Sequence, residues 1–188
     1  MMSHLFDLSG KVAVVTGSTK GIGRAIAAAF ADHGAKVVVS SRDKERVADA
    51  ARELAEGGRE VLGIPCNVGR NAELQNLVDQ TRQAWGQIDI AVGNAAINPH
   101  YGPSTEIPDD VFAKMMATNI QSNLWLAQMV AGEMRARQDG AIIFTSSIGG
   151  LRGSGVIGTY GITKAADIQL ARNLAIELGP DNIRVNCI

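Results

Sequence analysis

Near its start, this 188-residue chain reads Val12-Ala13-Val14-Val15-Thr16-Gly17-Ser18-Thr19-Lys20-Gly21-Ile22-Gly23. The apolar residues predict a buried strand, and the glycines predict a tight turn into a helix. Glycines let a backbone come close to a ligand, and the N–H groups at a helix start favour negative charge. Strand, turn and helix in this order are typical of a dinucleotide site, although the Gly-x3-Gly-x-Gly spacing differs from the commoner Gly-x-Gly-x-x-Gly. The predicted ligand contacts in this turn are Gly17, Ser18, Thr19, Lys20, Gly21, Ile22 and Gly23.

Beyond this turn, short apolar runs alternate with longer amphipathic segments. The apolar runs predict six strands, at residues 12–15, 37–39, 61–64, 88–92, 141–144 and 183–185. The other segments predict helices at residues 23–33, 44–56, 72–85, 109–137 and 160–178, with an irregularity inside the long 109–137 segment. Continuous apolar runs are typical of strands covered on both faces. The expected fold is therefore α/β, a three-layer, doubly wound parallel sheet in one domain over residues 1–188.

Composition limits the classes of function. With 18 Lys and Arg against 19 Asp and Glu, the net charge is -1, so no strong field would attract nucleic acid or an anionic membrane. The two cysteines, Cys66 and Cys187, have neither disulfide nor metal-ligand spacing and favour a reducing compartment. No apolar run approaches the length of a membrane span. We expect a cytoplasmic protein without a metal site that acts on small molecules.

The end of the second strand, Ser40-Ser41-Arg42, favours NADP over NAD. In NAD-binding folds an acidic residue about twenty positions past the glycine turn holds the ribose, whereas an Arg accommodates a 2′-phosphate. Arg42 and Lys20 can pair with such a phosphate, and no carboxylate lies in this stretch. The alternative is that both are solvated surface charges. Expected cofactor contacts here are Ser41, Arg42 and, toward the adenine, Asn67 with its neighbour Val68.

A second group of residues, Tyr160, Lys164 and Ser147, carries possible chemistry. Residues four apart share a helix face, so the Tyr160 phenol and the Lys164 ammonium should lie together. Because an adjacent cation favours a phenolate, we expect the pKa of Tyr160 to be lowered from its usual value of about 10. Tyr160 would then exchange a proton, and Ser147, after the fifth strand, would hold a substrate oxygen. Alone, Tyr-x3-Lys is equally compatible with an ordinary surface pair.

Together these residues resemble the short-chain dehydrogenases/reductases, an NAD(P)-dependent family with a Rossmann fold, over residues 7–188. Residues 16–23 resemble the family's cofactor motif, and Asn94-Ala95 resembles its Asn-Ala-Gly element, with Ala96 replacing the glycine. The resemblance implies that Asn94 and Ala95 contact the cofactor, and that Asn119 is the catalytic asparagine, which holds a water in a proton relay. The remaining catalytic positions of the family correspond to Ser147, Tyr160 and Lys164; Tyr160 and Lys164 are implied to contact the cofactor as well, with Lys164 bonding the nicotinamide ribose.

Residues 93–99 and 40–42 are similar to a subgroup of the family, the NADP-dependent carbonyl reductases of dehydrogenase/reductase member four type. Asn67 departs from the Asp that is common at its position. The implied function is NADP(H)-dependent hydride transfer between the nicotinamide and a carbonyl or secondary alcohol, in a homotetramer or homodimer. The alternatives are a cofactor-binding fragment without turnover and an NAD-linked alcohol dehydrogenase.

The family pattern continues beyond Ile188 into a substrate-covering helical segment, a seventh strand and a final helix. We expect either that the sequence omits this C-terminal part or that the chain is a fragment with an open sheet edge. The segment that closes over substrate belongs to this part of the family pattern. Candidate substrate contacts within the chain are Ile97, Asn98, His100, Ile148, Gly149 and Ile157.

Overall fold

The computed structural model describes residues 4–188. Six strands form one sheet in the order β3-β2-β1-β4-β5-β6, and every neighbouring pair is parallel. The strands are β1 Val12–Thr16, β2 Lys36–Ser40, β3 Val61–Gly63, β4 Ile90–Gly93, β5 Gly140–Phe144 and β6 Ile183–Cys187. The helices are α1 Gly21–Asp32, α2 Lys44–Leu54, α3 Asn71–Trp85, α4 Asp109–Met116, α5 Ser122–Arg137 and α6 Gly158–Leu178. The predicted doubly wound parallel sheet is confirmed.

Helices cover the sheet on both faces, which explains the unbroken apolar run of β1. Alternate residues of a strand point to opposite faces. Val15 packs with Ala27 of α1 in one core cluster, which also includes Leu54 of α2. Val14 packs in the other cluster, with residues of α3, α5 and α6 such as Leu126. All five residues of β1 are buried, as predicted for a strand with helices on both sides.

The sixth strand differs from this prediction. Ile183 and Val185 are buried, but Arg184 and Asn186 are exposed. The two apolar residues belong to the cluster that α3, α5 and α6 cover. On the opposite face, α1 and α2 pack over β1 and β2. No described helix covers β6 on that face. Within residues 4–188, therefore, β6 alternates and buries one face only.

The predicted helix over residues 109–137 contains the expected irregularity. A π-helical turn, Ala117–Gln121, separates α4 from α5. Wider turns of this kind occur mostly as single insertions and often at functional sites. The buried Asn119 lies in the middle of this turn. Elsewhere the predicted helix bounds are off by one or two residues: α1 begins at Gly21 and α6 at Gly158, both two residues early.

Two apolar residues of α5, Leu126 and Met129, contribute to the core. Leu126 is buried in the cluster beneath α5, and Met129 packs against that cluster. None of the helices within residues 4–188 is both long enough and apolar enough to cross a membrane.

Candidate active site

A cavity of about 780 Å³ opens at the carboxyl ends of the central strands. Its walls include Gly17 after β1, Ser41 after β2 and Asn94 after β4. The chain runs from β1 outward to β2 and β3, and then crosses back to place β4 on the other side of β1. The strand order therefore reverses at β1. Ligands of open α/β sheets bind in the crevice at such a reversal point.

The cavity brings together most of the predicted cofactor contacts: Gly17, Thr19, Lys20, Gly21, Ile22, Gly23, Ser41, Arg42, Asn67, Val68, Asn94 and Ala95. Ile97, a candidate substrate contact, also lines it. Sequence reasoning missed Cys66, Gly69, Arg70, Ala96, Ala113, Lys114, Ala117 and Thr118 as lining residues. Cys66 and Gly69 flank predicted contacts after β3, so the strand end itself pointed to them. The residues of α4 and the π-helical turn carry no local signal, because their place depends on how that helix packs.

The glycine turn and the loop after β4 touch closely. Gly17 has a φ of +64°, and a Cβ there would lie 2.9 Å from the Cα of Ala95. A Cβ on Gly23 would collide with the amide of Asn94 and lie 2.5 Å from the carbonyl oxygen of Gly17. The Asn94 amide Nδ2 donates to the carbonyls of Thr16 and Gly17 at 2.9 and 3.1 Å. Glycines are therefore required where the two strand ends are joined.

Ser18 is the predicted contact in the glycine turn that does not line the cavity. Its side chain is buried. The hydroxyl donates to the carbonyl of Val15 at 2.5 Å and accepts from the N–H of Ser40 at 2.8 Å. In this structure the Ser18 side chain joins β1 to β2.

The charged residues of the cavity wall are all cationic. They are Lys20, Arg42, Arg70 and Lys114, and no Asp or Glu among residues 4–188 lines the cavity. Arg70 pairs with Glu73 at 2.9 Å, whereas the other three make no ion pair within the described chain. Glu73 also accepts the N–H of Asn67 at 2.8 Å, and these bonds from Asn67 and Arg70 hold the pKa of Glu73 below its usual value. The wall thus favours an anionic ligand.

Asn119 connects the cavity wall to α6. Its Oδ1 accepts from the N–H of Ile97 at 2.8 Å, and its Nδ2 donates to the carbonyl of Ile97 at 2.9 Å. The same Nδ2 donates to Thr163 Oγ1 at 3.1 Å. Both amide hydrogens are therefore used within the protein, and the side chain fixes the loop after β4. The role in a proton relay that the resemblance implies for Asn119 stays a prediction.

Tyr160 and Lys164 lie together on α6, as their spacing predicts. The Lys164 ammonium is 5.7 Å from the centre of the Tyr160 ring. This ammonium is buried and donates to the carbonyl of Thr145 at 2.7 Å and to Asp167 Oδ2 at 3.0 Å. Burial chiefly, and then the negative charge of Asp167, raise the pKa of Tyr160 above its usual value. The expectation of a lowered pKa is therefore wrong for this structure, because burial of the phenol, together with the Asp167 carboxylate, outweighs the cation beside it.

Ser147 follows β5 and begins a short turn, Ile148–Gly150, that packs on α6. Its hydroxyl accepts from the N–H of Gly149 at 3.1 Å. A Cβ on Gly150 would lie 2.8 Å from the backbone of Lys164, and a Cβ on Gly161 would lie 2.6 Å from the carbonyl oxygen of Gly149. The close approach brings the Ser147 turn against the helix that carries Tyr160 and Lys164.

The other candidate substrate contacts lie on nearby loops. Ile148 is exposed, and Gly149 lines a shallow depression beside α6. The His100 ring nitrogen Nε2 is 3.0 Å from the carbonyl of Pro103. Asn98 has a buried side-chain oxygen without a hydrogen-bond partner in the part of the chain that the structure describes.

Comparison with known proteins places this geometry in a family. The sequence profile of the short chain dehydrogenases matches residues 11–188. Dehydrogenase/reductase SDR family member 4 of Sus scrofa is 40% identical over 181 residues, which cover 96% of this chain and 65% of the relative. The protein of the same name from Homo sapiens is 40% identical over 187 residues, covering 100% and 67%. The chain thus spans about two thirds of the length of the curated relatives it matches.

Solved structures agree with the sequence relatives. A short-chain type dehydrogenase/reductase from Mycobacterium marinum superposes with a TM-score of 0.92 at 36% identity, covering 97% of this chain and 73% of that one. L-Sorbose reductase from Gluconobacter frateurii, complexed with NADPH and L-sorbose, gives 0.92 at 37% identity, covering 97% and 69%. The resemblance derived from the motifs is confirmed, and the chain belongs to the short-chain dehydrogenase/reductase family.

Proposed function

We propose that this protein is an NADP(H)-dependent oxidoreductase that interconverts a carbonyl compound and a secondary alcohol. The observation that carries the proposal is the connection between the cationic cavity and the residues on α6. Ile97 lines the cavity, Asn119 clamps Ile97, and the same Asn119 amide reaches Thr163, the neighbour of Lys164. A dinucleotide in the cavity would therefore extend toward Tyr160 and Lys164.

The wall of the cavity fits a phosphate-rich dinucleotide. Gly21, Ile22 and Gly23 at the start of α1 line the cavity, and the backbone N–H groups of a helix start favour a phosphate. Arg42 and Lys20 are exposed without an ion-pair partner in the described chain, and they favour a 2′-phosphate, hence NADP(H) over NAD(H). The related L-sorbose reductase, whose structure contains NADPH, supports this preference. When bound, the nicotinamide would supply or accept the hydride.

The residues of this chain would handle the proton and the substrate oxygen. Tyr160 gives or takes the hydroxyl proton, and Ser147 holds the oxygen by a hydrogen bond. Lys164 uses two of its three N–H bonds on Thr145 and Asp167, which leaves one for the ribose of the cofactor. Asn119 keeps the loop at Ile97 in place. A carbonyl or alcohol of small size is the proposed substrate class, and the family relatives named reductases support it.

An oligomer, a homotetramer or homodimer, and a cytoplasmic location belong to the same proposal. Ile162 and Ile176 are 54% and 80% accessible on α6, and an interface on this helix would bury them. Sedimentation velocity measures its size directly.

Replacement of Tyr160 by Phe tests the catalytic assignment. We expect turnover of NADPH with a panel of ketones and ketoses to fall by about a hundredfold or more, with the Kd for NADPH unchanged. Gln169→Ala is the control, since Gln169 is an exposed residue of the same helix outside the cavity and should leave turnover intact. Retained turnover in Tyr160→Phe refutes the assignment. NADPH binding without turnover in the unmodified protein would favour the alternative of a cofactor-binding protein.

A further inference from the structure

A buried hydrogen-bonded chain joins Asn119 to Lys164 through two side chains that the proposed reaction does not use. Asn123 Nδ2 donates to the carbonyl of Asn119 at 3.0 Å and to Asp167 Oδ1 at 2.8 Å. The other carboxylate oxygen of Asp167 accepts from the Lys164 ammonium at 3.0 Å. The exposures of Asn123, Lys164 and Asp167 are 2%, 2% and 0%.

Burying a charged pair costs more free energy than filling the same space with apolar side chains. Removing two charges from water costs several kcal/mol per ion, and a hydrophobic pair of similar volume is often as stable. Here both carboxylate oxygens have a donor, and the ammonium is further held by the Thr145 carbonyl. The pair is thus held in one geometry and is not a loose surface contact.

The sheet makes room for this chain of contacts at Gly93, the last residue of β4. A Cβ on Gly93 would collide with the Asn123 amide oxygen and lie 2.8 Å from the ring of Phe144. Asn123 therefore fits only because the strand end carries no side chain. Gly93, Asn123 and Asp167 belong to three separate elements, and their contacts lead in sequence to Lys164.

We propose that Asp167, held by Asn123, is a positioning residue that fixes the Lys164 ammonium against Thr145 and offsets its positive charge at Tyr160. This inference rests on the proposed function of Tyr160 and Lys164. Asp167 touches neither substrate nor cofactor in this scheme, and it acts through Lys164.

The titratable groups around the Tyr160 phenol determine in which direction its pKa should change when Asp167 is replaced. Lys164 and Asp167 face it from α6, and Tyr101 faces it from the loop after β4; Cys187 on β6 interacts electrostatically with both Lys164 and Asp167. Burial, the Asp167 carboxylate and Tyr101 all raise the pKa of Tyr160. If the carboxylate is replaced by an amide, the ammonium loses its counter-charge and the phenolate is favoured. The pKa of Tyr160 should then fall.

The test is an NMR titration of the full chain with ¹³C-labelled tyrosine, without cofactor, in wild type and Asp167→Asn. The chain has two tyrosines, and Tyr160→Phe assigns their signals. We expect Asp167→Asn to lower the pKa of Tyr160 by about one unit or more. The control is Glu177→Gln, an exposed acid on the same helix that pairs with Arg135, which should leave the pKa of Tyr160 unchanged. An unchanged or raised pKa in Asp167→Asn overturns the proposal.

A second variant covers the case in which Asp167→Asn does not fold. Asn123→Ser keeps both charges and removes the amide that holds Asp167. We expect a several-fold rise in the Kd for NADPH, with native circular dichroism and little change in the pKa of Tyr160. An unchanged Kd in Asn123→Ser contradicts the positioning role. Since the titration needs no turnover, its result is separate from that of Tyr160→Phe: turnover retained there refutes the proposed function, whatever the pKa shows.

Discussion

The amide of Asn119 forms two hydrogen bonds with the backbone of Ile97. Its Oδ1 accepts from the Ile97 N–H at 2.8 Å, and its Nδ2 donates to the Ile97 carbonyl at 2.9 Å. Asn119 lies in the π-helical turn between α4 and α5, and Ile97 lines the cavity. The wide turn therefore places a buried amide where it can hold a loop that has no regular structure of its own. The position of Ile97 in the cavity wall therefore depends on the Asn119 side chain.

Replacing Asn119 by Ala leaves the Ile97 N–H and carbonyl without partners. We expect the free energy of unfolding to fall by about 1–3 kcal/mol, since an unsatisfied buried polar group costs this much. The affinity for NADPH should fall with it, because the cavity wall loosens. Urea unfolding and a fluorescence titration measure the two effects. The control is Gln121→Ala, an exposed residue of the same turn. Wild-type stability in Asn119→Ala would contradict this account of the loop.

Arg42→Ala tests the preference for NADP(H). Removal of the guanidinium should weaken binding of NADPH about tenfold or more and leave the Kd of NADH unchanged, since only NADPH carries the 2′-phosphate. The control is Arg52→Ala on α2, whose exposed side chain pairs with Asp49 and does not line the cavity. Isothermal titration with both cofactors gives the comparison. Equal losses for the two cofactors would assign Arg42 a general role, and an unchanged NADPH affinity would argue for an NAD-linked enzyme.

Gly23→Ala should disrupt the junction of the two strand ends. The added methyl would collide with the Asn94 amide and lie 2.5 Å from the Gly17 carbonyl. We expect a loss of about 1–3 kcal/mol in the free energy of unfolding, typical of overpacking, together with loss of NADPH binding. Gly132→Ala on α5 is the matched control, because nothing lies within 4 Å of its added Cβ. That variant should be neutral or gain up to about 1 kcal/mol from helix propensity. Parallel losses in both variants would refute the steric argument.

Glu73→Gln should change how stability depends on pH. The pKa of Glu73 lies below its usual value of 4.5 in the folded protein, because the Asn67 N–H and the Arg70 guanidinium bond its carboxylate. A depressed folded pKa contributes stability above the unfolded pKa, and this contribution is lost as pH falls through the folded value. Wild type should therefore exceed Glu73→Gln in stability at neutral pH, and the difference should shrink below about pH 4. Urea midpoints over this range measure it.

The matched control for that series is Glu56→Gln, an exposed residue beyond the end of α2. Its difference from wild type should not vary with pH in the same window. A gap for Glu73→Gln that stays constant from neutral to acidic pH would show that the carboxylate does not tie the loop after β3 to α3.

Most of the fold and much of the candidate site could be predicted from local sequence patterns. The glycine turn after β1 is predictable because it depends on backbone freedom and on neighbours in the chain, and the Tyr160–Lys164 adjacency follows from the helical period. Asp167, three residues after Lys164, is its partner in the structure, but it was not singled out from the sequence. Without the structure, however, a surface pair and a buried pair look alike, so the direction of the Tyr160 pKa was missed.

Other features depend on packing between distant segments. Asn123 meets Asp167 across 44 residues of sequence, and α4 supplies a wall of the cavity through its position over the sheet. The hydroxyl of Ser18 is used between β1 and β2, which spacing within the glycine turn did not show. The alternation in β6 reflects which helices cover it.

The junction of β1 and β4 also couples the cavity to the folding of the chain. The Asn94–Thr16 hydrogen bond closes a loop of 78 residues, so the cavity forms only after a long-range contact whose closure entropy must be overcome. A cofactor that binds there recognises the closed chain alone. By mass action, NADPH at a hundred times its Kd would add about 2.7 kcal/mol to the free energy of unfolding. Binding of NADPH, as proposed, would therefore lower the fraction of unfolded chain that a protease can cleave.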